Sequence, residues 1–177
     1  MKSKLFSPGF LTVIGMILVA AFTRLIPHYP NFTAVGAMAL FGGAYITNKK
    51  LAFIIPLAAL FVSDLVIGFY SGMWIVYLSF VLIVFIGMSL RNNKKPGKIA
   101  LASISSSVAF FLITNFALLP GITLYPHTFM GVIESYTAAI PFFGYNVAGD
   151  LFFSAVLFGS FELAKVKFPK LAEAKTA

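Results

Sequence analysis

The hydrophobic positions fall into six runs, separated by short polar or proline-containing connections. Five runs have roughly the 20 residues that one helical crossing of a bilayer needs, whereas the second, 34–46, is too short for a standard crossing. We therefore predict an all-α membrane protein with six transmembrane helices. The short second helix either begins deep in the membrane or is tilted and enclosed by protein. The runs cover residues 10–26, 34–46, 51–69, 73–90, 99–119 and 141–163.

Two connections differ from simple polar loops. The first, 27–33, reads PHYPNFT, and its two prolines fix φ and remove backbone donors, so it cannot continue a helix. The longest connection, 120–140, contains apolar as well as polar residues. Within it, residues 128–139 predict a short re-entrant or interfacial helix between helices five and six.

Composition sets the class of protein. The 177 residues are 60% hydrophobic and only 10% charged, whereas soluble domains carry about 25% charged residues. A chain this apolar is an integral membrane protein, and its length leaves room for one membrane domain, residues 1–177. The chain has no cysteine, which excludes disulfides, Cys-zinc sites and Cys nucleophiles. We predict no metal site and no cofactor.

The basic residues indicate the orientation. With six spans and both termini in the cytoplasm, every lysine and arginine except Arg24 lies on the cytoplasmic side, as the positive-inside rule requires. The net charge of +8 is then an orientation signal, so no nucleic-acid partner is needed. We predict a multi-pass protein of the bacterial cytoplasmic membrane, in contact with membrane lipid. The basic residues predicted to lie on the cytoplasmic side are Lys2, Lys4, Lys49, Lys50, Arg91, Lys94, Lys95, Lys98, Lys165, Lys167, Lys170 and Lys175.

The start of the chain also has a second interpretation. A basic head, an apolar run and the small residues around Ala20 resemble a cleavable signal peptide. The apolar run is long for such a peptide, and the residues after it continue the same pattern. We therefore favour an uncleaved first span.

Polar residues within the apolar runs converge on the outer face in this topology. Five lie toward the outward ends of runs one, three, five and six, and three more lie in the two long outer connections. Polar groups in a bilayer usually face the bundle interior or a water-filled cavity, so we predict an outward-facing pocket for a small polar molecule. Its predicted residues are Arg24, His28, Asn31, Asp64, Asn115, Tyr136, Asn146 and Asp150.

Each of these residues also has a structural interpretation. Arg24 can form an ion pair with Asp64 or Asp150 whose role is purely structural, namely to hold two helices together. His28 can contact a ligand, ligate a metal or carry protons, but a single loop histidine is more often simply solvated.

Small residues recur at helical spacing in two of the runs. Ala39 and Gly43 in the second run, and Ala155 and Gly159 in the sixth, are four residues apart. This spacing lets helix backbones approach closely. It fits close packing inside the protein, or a docking face for a partner helix.

Motifs of the common enzyme classes are absent. The chain has no Walker A sequence, no HExxH and no GxSxG, so we assign no catalytic residue and predict that it is not an enzyme. Two alternatives remain open. One is a membrane enzyme that uses Asp64, Asp150 and His28 on a lipid-soluble substrate, and the other is a non-transporting membrane scaffold.

Four segments carry a family resemblance over nearly the whole chain. They are RLIPHYPNFTAVGAMALFGGA (24–44), SDLVIGFY (63–70), FLITNFA (111–117) and YTAAIPFFGYNVAGDLFFSAVLFG (136–159). Together they resemble an uncharacterised bacterial membrane family usually described as transport proteins. That family is similar to the substrate-binding S components of energy-coupling factor transporters.

The resemblance implies six helices, cytoplasmic termini and an outward-facing pocket capped by loops. It also implies uptake of a small vitamin-like or metal-containing solute, with docking on a T component and two ATPases. In the solitary cobalamin type of S component, a first-loop histidine lies at the cobalt, and His28 matches it by position. The cysteine of that type has no counterpart here, so cobalamin is one candidate solute among others. Span one has Gly15 and Val19 where many S components have small residues four apart.

Overall fold

The computed structural model describes residues 7–122 and 124–171, and this part of the chain contains six α-helices and no strand. Two short 3₁₀-helices, Thr23–Leu25 and Pro169–Leu171, follow the first and last α-helices. The predicted all-α class is confirmed. Lys2, Lys4 and Lys175 of the orientation argument lie outside the described residues. The α-helices are α1 (Pro8–Phe22), α2 (Val35–Tyr45), α3 (Lys49–Ile67), α4 (Met73–Ser89), α5 (Pro96–Thr114) and α6 (Phe129–Lys167).

Four helical segments are long and apolar enough to cross a membrane: Pro8–Leu25, α3, α5 and α6. Helices α2 and α4 are apolar but shorter. Large apolar side chains such as Val19, Leu101 and Leu163 are exposed on the outer faces of the helices. Extensive exposed apolar surface marks a lipid- or protein-facing boundary, so the chain is a membrane protein.

Helix α2 lies at the centre of the bundle. Every residue from Val35 to Ala44 is buried, and α2 packs against α1, α3, α4, α5 and α6. Its 11 residues rise only about 16 Å, roughly half the thickness of the hydrocarbon core. The predicted short second helix is thus confirmed, and its surroundings are protein.

The glycines of α2 and α4 allow the two backbones to touch. A Cβ atom at Gly43 would collide with the carbonyl oxygen of Val84, and one at Gly87 would collide with that of Leu40. The small residues of α2 therefore serve close packing inside the protein. The alternative in which this helix offers a docking face to a partner is wrong, because α2 has no free face.

The bundle has two chemically distinct ends. At the basic end, the Arg91 side chain reaches the end of α2, and Lys94 and Lys165 both lie over the Tyr45 ring. At the opposite end, called here the hinge end, the 27–33 segment meets the first half of α6 through the stacked rings of Tyr29 and Tyr145. The basic segments that lead into α3 and into α5 are thus gathered away from the hinge.

The hinge between α1 and α2 is non-helical, as its prolines predict. The Phe32 N–H donates to the Tyr29 carbonyl at 3.0 Å, which closes a turn with Pro30 and Asn31 at its centre. Asn31 has φ 63°, the left-handed conformation that Asn tolerates better than most residues. Proline followed by a left-handed residue is the pattern of a type II turn.

The prediction of a separate short helix before span six is wrong. Residues 128–139 and the sixth apolar run form one helix, α6, of 39 residues. The Thr128 side chain caps it by accepting a hydrogen bond from the Gly131 N–H at 3.1 Å. Pro141 lies inside the helix and does not begin it. Its missing N–H leaves one carbonyl without its usual donor, which membrane helices tolerate where neighbouring groups compensate.

Run five also ends earlier than its hydrophobicity predicts. Helix α5 stops at Thr114, and Asn115 is its C-cap residue. The Asn115 side chain donates to the Phe111 carbonyl at 2.9 Å, which satisfies an acceptor of the last turn. Residues 116–119 continue as turns and not as helix, which brings the connection back over the hinge end.

Candidate solute-binding site

Arg24 and Asp64 form a buried ion pair at the hinge end. Arg24 Nη1 lies 2.6 Å from Asp64 Oδ1 and also donates to Ser63 Oγ at 2.8 Å. The Tyr77 hydroxyl donates to Asp64 Oδ2 at 2.7 Å, and the Asp64 side chain is fully buried. The pair joins the end of α1 to α3 and α4. Of the two carboxylates considered for Arg24, the structure thus pairs it with Asp64.

Asp150 instead caps helix α2 from α6. Its carboxylate accepts hydrogen bonds from Ser107 Oγ at 2.6 Å, from Asn146 Nδ2 at 3.0 Å and from the backbone N–H of Ala37. The N-cap residue of α2 is Ala34, whose side chain cannot cap. A carboxylate at a helix N-terminus satisfies an orphan donor and complements the helix dipole.

Glycine at position 36 makes room for this carboxylate. A Cβ atom there would overlap the Asp150 carboxyl group. The small residue in the first turn of α2 thus lets an acidic side chain from another helix approach the backbone closely.

Arg91 completes the other end of the same helix. Its Nε donates to the Gly43 carbonyl at 3.1 Å, and its Nη2 donates to the Ile46 carbonyl at 2.7 Å. A guanidinium group at a helix C-terminus pairs with free carbonyls and with the negative end of the dipole. Burial lowers the pKa of Arg91 from its usual value. The guanidinium group nevertheless stays protonated, because the usual pKa of arginine is far above neutral pH.

A cavity of about 380 Å³ lies between α5, α6, the hinge and the connection that follows α5. Three predicted site residues, Asn31, Asn115 and Asn146, line it. Among residues 7–122 and 124–171, no formally charged side chain lines the cavity, so its polar side chains there carry amides and hydroxyls. The other lining residues are Phe110, Phe111, Thr114, Leu124, Tyr125, Ser135, Ala138, Ala139, Phe142 and Phe143.

The three asparagines reach the cavity from different elements. Asn31 is held by the left-handed turn of the hinge, and Asn115 by its bond to the end of α5. Asn146 lies one turn before Asp150 on α6, and its amide nitrogen donates to that carboxylate. Asn146 therefore connects the cavity to the buried cap of α2.

The remaining predicted site residues lie outside the cavity lining. Tyr136 is next to it: its hydroxyl donates to the Leu112 carbonyl at 2.6 Å, and its ring packs on Phe111. Asp150 lies behind Asn146, and the Arg24–Asp64 pair lies in a separate cluster. His28 is exposed, with Nδ1 2.6 Å from the Ile26 carbonyl of its own segment.

A family model described as a family of unknown function, DUF6580, matches residues 4–171. The chain belongs to this family. The match includes all of the candidate site residues and all six helices. No curated protein and no solved structure is detectably similar to this DUF6580 chain.

Sequence reasoning missed the aromatic wall of the cavity. Phe110 and Phe111 on α5 and Phe142 and Phe143 on α6 are adjacent pairs, and the rings of Phe111 and Phe143 lie 4.8 Å apart. In a chain with 21 phenylalanines, single rings do not stand out from lipid-facing residues. The available signal was the position of each Phe-Phe pair a few residues from a membrane-embedded asparagine.

Metal ligation has no support among the described residues, where no group of three or more His, Asp or Glu side chains is placed to hold an ion. Both buried carboxylates are already engaged, Asp64 by Arg24 and Tyr77, Asp150 by its three donors. The chemistry that this end of the bundle offers is therefore hydrogen bonding and ring stacking.

Proposed function

We propose that this DUF6580 protein binds a small uncharged solute in the cavity and takes part in its uptake, as a substrate-binding transport protein of the S-component type. The observation that carries the proposal is the convergence of Asn31, Asn115 and Asn146 on one aromatic-walled cavity. Binding sites for small molecules typically combine apolar walls with a few convergent polar groups. These side chains come from three segments that are far apart in sequence.

The proposed orientation follows from the charges. The chain crosses the bacterial cytoplasmic membrane six times, the second time through α2 and the segments that flank it, with both termini and the basic end in the cytoplasm. The hinge end, with the cavity, then faces outward. This orientation is supported by the clustering of Arg91, Lys94 and Lys165 at one end of the bundle. The cavity lies at the other end, where the last turns of α5 and the hinge line it.

The lining indicates the chemistry of the solute. Carboxamides and hydroxyls both donate and accept hydrogen bonds, and the phenylalanine rings offer faces for stacking. A neutral heteroaromatic molecule of vitamin size fits this combination. The whole cobalamin molecule is larger than a cavity of about 380 Å³, so cobalamin would need the connection after α5 to open.

Coupling to a T component and ATPases is the mode of energising that the family resemblance suggests. A face for such partners would lie on the exposed apolar surfaces of the outer helices, since α2 is enclosed. The enzyme alternative is less favoured because Asp64, Asp150 and His28 have separate sets of partners. The scaffold alternative now rests on Ala155 and Gly159 of α6 alone.

The test is native mass spectrometry of protein purified gently from its own host, followed by binding measurements with the retained molecule. We expect a retained neutral solute, and we expect Asn115→Ala to weaken its binding by roughly tenfold, since a buried polar group of the solute loses its partner. Asn92→Ala, an exposed asparagine at the basic end, is the matched control and should bind normally.

Two results would contradict the proposal. One is an intact, folded wild-type protein that carries no solute and binds none of a panel of neutral vitamins. The other is a retained solute whose affinity is the same in Asn115→Ala and in wild type. A thermal unfolding curve for each variant separates loss of binding from loss of fold.

A further inference from the structure

A second concave surface lies at the basic end, far from the cavity. It is a groove of about 940 Å³ between the first turns of α5 and the last turns of α6. Its floor is apolar and includes Ile99, Leu151, Ala155 and Phe158. At Gly159, which lines the groove, a Cβ atom would meet nothing within 4 Å. The groove thus has the shape and polarity to hold a hydrocarbon chain.

The mouth of the groove is positively charged. Lys94 and Lys95, from the connection between α4 and α5, line it. Glu162, the one carboxylate in the described part of the lining, accepts hydrogen bonds from Lys165 and from the Tyr45 hydroxyl and also attracts Lys94. Lys95 is exposed and Lys94 half-buried. Two ammonium groups thus stand against a single, shared carboxylate at one end of the groove, and apolar side chains line most of the rest.

Lys94 is held at the mouth by local contacts. Its Nζ donates to the Arg91 carbonyl at 2.6 Å and lies 4.9 Å from the centre of the Tyr45 ring. Partial burial lowers the pKa of Lys94, and the nearby charge of Lys165 lowers it further. An anion that binds between two such crowded, partly desolvated cations stabilises their charged forms.

We propose that this groove binds one anionic phospholipid, with its phosphate between Lys94 and Lys95 and an acyl chain along Ala155 and Gly159. Charge complementarity selects this occupant, because a phospholipid is anionic at one end and apolar along the other. A second copy of the chain fits less well. Each copy carries a net charge of +8, and copies side by side in a membrane would bring their basic ends together.

The test is native mass spectrometry of the full chain released from nanodiscs that contain equal amounts of phosphatidylglycerol and phosphatidylcholine. We expect wild type to retain phosphatidylglycerol in clear preference. The pair Lys94→Gln and Lys95→Gln should lower that retention about thirtyfold, since each of the two lysines attracts anionic lipid by about 1 kcal/mol. Lys49→Gln with Lys50→Gln, exposed at the same end but outside the groove lining, is the matched control for general attraction to anionic lipid and should lower retention much less.

A second pair of variants tests the hydrocarbon part of the groove. Gly159→Leu fills the groove, and it should abolish retention of phosphatidylglycerol. Gly144→Leu makes the same change on the same helix, where a Cβ atom again meets nothing within 4 Å, but outside the groove lining. It should retain lipid as wild type does. Because these variants leave the lysines in place, they test the site even if the lysine pair fails to fold.

Three outcomes would overturn the proposal: equal retention of the two lipids by wild type, equal loss in the two lysine pairs, or unchanged retention in Gly159→Leu. A dimer that is present in wild type and lost in Gly159→Leu would instead assign the groove to a second copy. Solute binding in the cavity is a separate measurement, so the fate of this proposal is independent of the proposed function.

Discussion

Asp150 and Arg91 lie at opposite ends of helix α2 and complete its backbone hydrogen bonding from outside. Asp150 accepts from the Ala37 N–H at the start, and Arg91 donates to the Gly43 and Ile46 carbonyls at the end. The carboxylate faces the positive end of the helix dipole and the guanidinium faces the negative end. An 11-residue helix is too short to be stable alone, so its stability depends on these two residues and on packing.

Removing the Asp150 carboxylate should destabilise the bundle. Asp150→Ala leaves the Asn146 amide and the Ala37 N–H without this acceptor, and the Ser107 hydroxyl keeps only its longer bond to the Ser103 carbonyl, so we expect a loss of about 3 kcal/mol. Asp150→Asn keeps the shape but removes the charge and turns one of the two acceptor oxygens into a donor, and it should lose about 2 kcal/mol. Thermal or denaturant unfolding in detergent measures both. Equal stability of Asp150→Ala and wild type would show that α2 does not depend on this cap.

Replacing Arg91 by lysine should not be conservative. Arg91 uses two separate nitrogens for two carbonyls, and a lysine ammonium cannot reproduce that fork. We expect Arg91→Lys to lower the free energy of unfolding by about 1 kcal/mol. Lys98→Ala, an exposed basic residue in the first turns of α5, is the control and should unfold like wild type. A loss in the control as large as in Arg91→Lys would point to net charge and not to the α2 contacts.

The Arg24–Asp64 pair should matter for stability and not for solute affinity. Arg24→Ala leaves a fully buried carboxylate without its cation, which typically costs about 3 to 5 kcal/mol. The double variant Arg24→Ala with Asp64→Ala should be less unstable than the sum of the single variants, because it leaves no unpaired charge. Because neither residue lines the cavity, solute affinity of the folded fraction should stay at the wild-type value. A specific loss of affinity would place Arg24 in the binding site.

The contact between α2 and α4 should not tolerate a single added methyl group. Gly43→Ala or Gly87→Ala drives a Cβ atom against a backbone carbonyl of the facing helix, and backbone cannot move as a side chain can. We expect a loss of about 2 kcal/mol in either variant. Gly15→Ala is the matched control on α1, where a Cβ atom meets nothing within 4 Å. That change should stabilise the protein by about 0.5 kcal/mol or leave it unchanged.

Hydrophobic runs and prolines were sufficient to predict most of the helices. Residues 51–69 and 73–90 correspond closely to α3 and α4, because a long apolar run in a membrane has few alternatives to helix. The hinge followed from Pro27 and Pro30. The join across Pro141 could not be predicted, because a proline that begins a helix and a proline inside one look the same in sequence.

The sequence also could not predict which of the two carboxylates pairs with Arg24. Asp64 and Asp150 have similar predicted depths, and the choice depends on how each helix is rotated about its axis. Asn115 and Asn146 could be named because polar side chains are rare in apolar runs, and Asn31 because its proline-containing connection lies at the same predicted face. The phenylalanines around them could not, because a ring that faces a cavity and a ring that faces lipid satisfy the same hydrophobic pattern.

The enclosure of α2 has a consequence for how the chain is made. A ribosome-bound nascent chain exposes α2 long before it has produced α6, which carries Asp150. Until then the start of α2 has no carboxylate, and its short apolar length is poorly suited to remain alone in lipid. Helix α2 must therefore reach its final, enclosed position late, after α6 has been synthesised and has entered the membrane. Chains that terminate before residue 150 should be substrates for membrane quality-control proteases.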